Sequence, residues 1–137
     1  MANLGSSYQI SLLDFLFNGG TFVPPSALYV GLVDDNATDA DVEGDLLTNE
    51  ITGYDGDRLS VTWTAATDVD GKATIYNVEQ LDFTQMPATT VKYAVLCTTA
   101  TKGTGSIFVW IPAAVVRTTS TGDVYRIPAN DLILTLD

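Results

Sequence analysis

The chain has 137 residues, 46% hydrophobic and 17% charged, which is one domain's worth of material with enough apolar content to bury a core. Seventeen acidic against six basic residues leave a formal charge of -11, which repels phosphate backbones and argues against nucleic acid or an anionic membrane as a partner. With no histidine and one cysteine, Cys97, imidazole–zinc sites, Ser-His-Asp triads, Cys-His dyads and internal disulfides are excluded within this chain.

From the N-terminus, SSYQISLLDFLFNGG reads as a short amphipathic helix. Ser6 or Ser7 is its expected cap, Ile10, Leu13 and Phe17 share a face, and Asn18-Gly19-Gly20 stops it. The uncharged run from Phe15 to Val33 is interrupted by Gly19, Gly20, Pro24 and Pro25, so no spanning helix is expected. Because the first basic residue is Arg58, no signal peptide is expected either. Residues 27–33, ALYVGLV, form an apolar strand expected to be buried on both faces.

Residues 34–57 hold nine of the ten acids found before Arg58 and no base, and are rich in Asp, Asn, Thr and Gly. They read as a long acidic surface loop. Within it Asp39, Asp41, Glu43, Gly44 and Glu50 reproduce the D-x-D-x-acid-G-x5-E spacing of a calcium loop, with Leu46 at the apolar position. Asp39, Asp41, Glu43 and Glu50 are therefore candidate calcium ligands, and calcium is the one cofactor to consider. Helices should flank such a loop, whereas here a strand precedes it and Thr52-Gly53 follow; a solvated acidic loop is the simpler reading.

Beyond Arg58 the chain is β-rich. Residues 58–64 alternate Leu59, Val61 and Trp63 against Ser60, Thr62 and Thr64; 73–85 read as one bent strand or two short ones; and strands are expected over 91–99, 106–114, 123–130 and 131–137. Turn chemistry at 68–71, 86–87, 102–105 and 120–122 separates them. Short strands at close spacing predict a single all-β domain over 1–137, an antiparallel β-sandwich, with a jelly roll as one topology, carrying a short N-terminal helix. Tyr76, Phe83, Tyr93, Phe108, Trp110 and Tyr125 sit at strand positions that favour core packing over a sugar site. Cys97 lies in an apolar run with no basic neighbour and reads as inert core. Asp82 and Glu79 read as outward strand residues rather than a catalytic carboxylate pair.

The order of these segments resembles a family of small tailed-phage virion proteins, often labelled tail fibre or virion structural proteins. The resemblance rests on the LLDFLF helix before Pro25-Ser-Ala-Leu-Tyr-Val-Gly-Leu; on Gly53, Tyr54 and Arg58 leading to Val61 and Trp63; and on Leu81, Asp82, Phe83 and Pro87. It continues through Val91 to Leu96, then Gly103, Gly105, Phe108 and Trp110, and closes on Asn130-Asp-Leu-Ile-Leu-Thr-Leu-Asp137. Ala88-Thr89-Thr90 replaces the family's Trp-Gly, and Asp55-Gly56-Asp57 stands as an insertion. The resemblance implies a non-enzymatic virion component, made in the host bacterial cytoplasm, whose partners are copies of itself and other virion proteins (the major capsid protein or tail proteins). Decoration of the capsid exterior as a cementing homo-oligomer is the leading expectation; a tail fibre, adaptor or baseplate component is the alternative. A carbohydrate-binding module using exposed aromatics such as Tyr54 is a further one. Residues 1–26, apolar and almost uncharged, are the expected arm that touches neighbours, with Ile10, Leu13, Phe17 and Phe22 as candidate interface residues.

Overall fold

The computed structural model describes residues 3–136 and is built almost entirely of antiparallel strands. Met1 and Ala2 of the expected arm, and Asp137 of the expected last strand, lie outside them. In chain order the elements are β1 (Asn3–Leu4), α1 (Ser6–Asn18), β2 (Tyr29–Asp34), α2 (Asp39–Glu43), β3 (Leu59–Ser60), β4 (Thr67–Val69), β5 (Lys72–Tyr76), β6 (Leu81–Met86), β7 (Thr89–Cys97), β8 (Ile107–Thr119), β9 (Asp123–Ile127) and β10 (Ile133–Leu136).

One layer is a five-stranded sheet in the order β1-β8-β7-β2-β3; facing it are a three-stranded sheet, β10-β5-β4, and the pair β6-β9. The main core fills the space between layers. Val30 and Leu32 of β2, Val91, Ala94 and Leu96 of β7, and Val109 of β8 meet Leu81, Phe83 and Met86 of β6 and Ile127 of β9. The architecture is the expected β-sandwich type with its short N-terminal helix.

The other face of the five-stranded sheet is also covered. Val33, Tyr93, Val95, Cys97, Ile107 and Trp110 pack there against Ala37 and Val42 of the acidic stretch, which corrects the reading of residues 34–57 as a solvated loop. Ile51 and Tyr54 of the same stretch enter the main core. The central strands are thus buried on both sides, as the unbroken apolar run of β2 requires. In β7, Val91 faces the main core, yet so do the even-numbered Ala94 and Leu96. A register shift between Val91 and Tyr93 flips the parity of the strand.

Two strand boundaries differ from expectation. Residues 58–64 keep their alternation but form only the two-residue β3, with Trp63 making a lone bridge to Asn77. The chain there leaves one sheet for the other: Leu59 pairs with Val30, while the Thr64 N–H donates to the Tyr76 carbonyl. Strand β8 does not end near Ala114 but runs to Thr119, past an irregularity that follows Pro112. A proline, which has no N–H to give a ladder, is tolerated at such a point.

Candidate assembly surface

Helix α1 carries six large apolar residues and one charge, Asp14, along Ser6–Asn18. Its root is fixed tightly. Asn3 and Leu4 pair with Trp110 and Val109 of β8, and the Gly5 N–H donates to the Phe108 carbonyl at 2.9 Å. Gly5, not Ser6 or Ser7, is the N-cap, and it makes no side-chain cap. A Cβ at position 5 would lie 2.4 Å from the Ile107 carbonyl oxygen, so the close approach of the two backbones requires glycine. One turn on, the Tyr8 ring meets Phe108 edge to face at 4.8 Å, and Gln9 Nε2 donates to the Leu4 carbonyl at 2.7 Å and to Glu43 Oε1 at 3.2 Å.

Past Gln9 the helix leaves the body of the protein. Ile10 is 65% exposed, Leu13 57%, Phe15 50%, Leu16 58% and Phe17 78%, and no α1 residue is buried. Gly19 ends the helix in the left-handed conformation, as its sequence predicts, and the Gly20 N–H closes on the Asp14 carbonyl at 3.0 Å. Phe22 is half-buried and leans on Phe15 with ring centroids 6.5 Å apart, while Val23 beyond it is 75% exposed. Of the expected interface residues, the structure therefore brings Ile10, Leu13 and Phe17 to solvent on one helix and places Phe22 against Phe15 near the helix's C-terminal end. Leu4, at the root, also lines an apolar crevice of about 310 Å³ with Val109, Ile75, Leu134 and Leu136, between β1–β8 and β10–β5.

The acidic stretch holds the far side of this root. Thr38 and Asp41 form a reciprocal capping box on α2, whose hydrogen bonds hold the Asp41 carboxyl below the usual carboxylate range. Val42 plugs the core, the Asp45 carboxylate accepts the Ile107 N–H, and Tyr93 donates its hydroxyl to Asp39. Burial, followed by Asp39, pushes the Tyr93 phenol up. Glu50 forms a fully buried ion pair with Arg58, Nε–Oε1 2.6 Å and Nη2–Oε2 2.8 Å, and also accepts the Gly103 N–H at 2.6 Å. Arg58 Nη1 donates to the Thr99 and Thr104 carbonyls, each at 2.9 Å. This satisfied network ties the acidic stretch to the β7–β8 turn.

The four candidate calcium ligands consequently point four ways: Asp39 to Tyr93, Asp41 to Thr38, Glu43 to Gln9 and Glu50 to Arg58. Among the described residues no three Asp, Glu, Cys or His side chains are placed to share a metal ion. Tyr54, expected as an exposed aromatic, is only 3% exposed; it packs on Phe83 at 5.1 Å and lies under Lys102 Nζ at 3.8 Å from its ring centre. Asp82 pairs with Arg126 on the outer side of β6 and β9, and Glu79 is exposed ahead of β6. Cys97 is buried, and burial pushes its thiol up to about 12. The Gln9–Glu43 tie and the Glu50–Arg58 pair escaped the sequence reading. The signal for the second was Gly31, a glycine inside an otherwise apolar strand, which marks a close approach.

Among the described residues no helix is long and apolar enough to cross a membrane. The sequence model of a family described as Podophage GP4 fiber I protein gp80 matches residues 5–135. No curated protein matches the chain.

Proposed function

The chain belongs to the Podophage GP4 fiber I protein gp80 family, a tailed-phage virion structural protein, and from that premise we propose that it is a non-enzymatic fibre subunit of a podophage particle, assembled through helix α1. The observation that carries the assembly role is the exposure of Ile10, Leu13, Phe15, Leu16 and Phe17 on a helix whose root alone is docked. A helix apolar on most of its circumference is a helix meant to be covered. Covering each of these half-exposed side chains is worth on the order of 1 kcal/mol, so together they support a stable contact.

Charge favours a further copy of the chain among the neighbours that cover it. Residues 1–33 contain a single charge, Asp14, whereas the whole carries -11. Two copies meeting through α1 bring together their least charged segments and keep residues 34–57 apart, which limits like-charge repulsion. The Asn18-Gly19-Gly20 stop and the Pro24-Pro25 pair set the helix off from β2 as a distinct arm.

Reconstruction of an intact particle tests the proposal. Density for this fold at the tail, in a few to a few tens of copies with α1 covered, supports it. Hundreds of copies on the capsid lattice would establish capsid decoration and overturn the fibre placement.

A further inference from the structure

The apolar crevice at the root of α1 draws on both layers of the sandwich. Leu4 of β1 and Val109 of β8 line it from the large sheet, and Ala73 and Ile75 of β5 with Leu134 and Leu136 of β10 line it from the small one. Ile75 pairs with Leu134 and Ala73 with Leu136, so these four side chains share one face. Burial fades along that face: Leu134 is half-buried, whereas Leu136 is 72% exposed. The large sheet meets it with a strand of only two residues, Asn3–Leu4, and the core is left open at this end.

Among the described residues none of those lining the crevice is charged, in a chain of net charge -11. An occupant must therefore be apolar and bring no charge with it, because a charge buried without a partner is costly. Elsewhere on the molecule the exposed apolar side chains stand among charges: Leu46 beside Asp45, Val69 between Asp68 and Asp70, Val124 beside Asp123, and Val115-Val116 before Arg117. Helix α1 instead gathers five of them against the single Asp14, whose Oδ1 is engaged by Asn18 Nδ2 at 2.9 Å. Its own copy cannot use them here. No α1 residue lines the crevice, and the Gly5–Phe108 bond and the Tyr8–Phe108 ring contact fix the root. At 1.5 Å of rise per residue the helix carries Phe17 about 18 Å from Gly5.

We infer that this crevice receives α1 of a second copy, entered by Leu13 and Phe17. The inference rests on the proposed assembly through α1 and names the surface that accepts the helix. Leu13 and Phe17 lie one turn apart on the same side of α1. A cavity of about 150 Å³ lined by aliphatic and aromatic side chains holds one benzene-sized group, so about 310 Å³ holds two. Leu4 immediately precedes the Gly5 cap, so the incoming helix meets the receiving copy beside the root of its own. Arm and crevice are different surfaces, and the contact is therefore heterologous, closing as a reciprocal pair or as a ring.

Sedimentation velocity on the full chain and its variants tests this. The wild type should self-associate. Ala73→Glu, which sets a carboxylate on an exposed part of the crevice lining, should weaken association at least about tenfold, and Leu13→Ser with Phe17→Ser should do the same. Mixing these two variants, one with an intact arm and the other with an intact crevice, should give a 1:1 pair and nothing larger. Leu136→Glu, at a second exposed lining position, repeats the test should Ala73→Glu fail to fold. Crevice variants that associate as strongly as the wild type, or a mixture that forms no pair, would overturn the inference while leaving assembly through α1 standing, provided the arm variant alone is monomeric. A monomeric wild type, or an arm variant that associates like the wild type, would overturn both.

Discussion

Gly31 lies directly beneath the Glu50–Arg58 ion pair. A Cβ there would stand 2.9 Å from Glu50 Oε1 and 3.3 Å from Arg58 Nε, so Gly31→Ala must push apart a pair that has no solvent to retreat into. A destabilisation of about 1–3 kcal/mol is expected, read as a lower urea midpoint with an unchanged slope. An unshifted midpoint would mean that the pair relaxes freely and does not pin the acidic stretch. Cys97 makes a second test of packing at this scale. With burial pushing its thiol up to about 12, it stays neutral through mildly alkaline pH, and a thiol reagent should label it only after denaturant unfolds the chain. Labelling of the native protein at pH near 8 would show that this part of the sheet opens. What sequence could tell at single positions was uneven. Cys97 as inert core followed from its apolar run, whereas Tyr54 looked exposed amid acids and is buried, because Phe83 and Lys102 cover it from opposite chain segments.

At the scale of elements, α1 divides at Gln9 into a docked turn and a free arm. Leu13→Ser with Phe17→Ser should leave thermal stability within about 0.5 kcal/mol, since neither side chain is buried, yet abolish association in sedimentation velocity. A marked loss of stability would instead show that the arm folds back on its own domain. Removing residues 1–26 would not isolate the arm, because it would also strip β1 from β8. The helix and its glycine stop were legible from spacing, and β2 from its unbroken apolar run. The acidic stretch was not, because its composition resembles a solvated loop while its carboxylates serve the fold, as a cap at Asp41, an acceptor for a strand N–H at Asp45 and an ion pair at Glu50. The length of β8 was missed for a related reason: Pro112 and the small residues after it look like an end, and only the partner strand shows that the ladder resumes at Arg117.

At the scale of the whole molecule, charge and apolar surface are segregated. Nine acids fall in residues 34–57, and the exposed apolar side chains of α1 lie in a segment with one charge. The proposed association of copies through α1 would therefore be driven by apolar burial and opposed by like-charge repulsion. Raising ionic strength to about 0.5 M should strengthen it; a contact made of ion pairs would weaken. The sandwich architecture and the virion role were both readable in the chain, from strand spacing and from the order of short segments such as Pro25 to Leu32 and Asn130 to Leu136. Placement on the particle was not, because it depends on surfaces of other chains that this sequence does not encode.

The most direct test of the central claim is a reconstruction of the intact particle in which this fold is located and the surroundings of α1 are resolved. Ile10, Leu13, Leu16 and Phe17 should be packed against neighbouring subunits at the tail. Copies whose helix stands uncovered in solvent, with contacts made elsewhere on the sandwich, would contradict it.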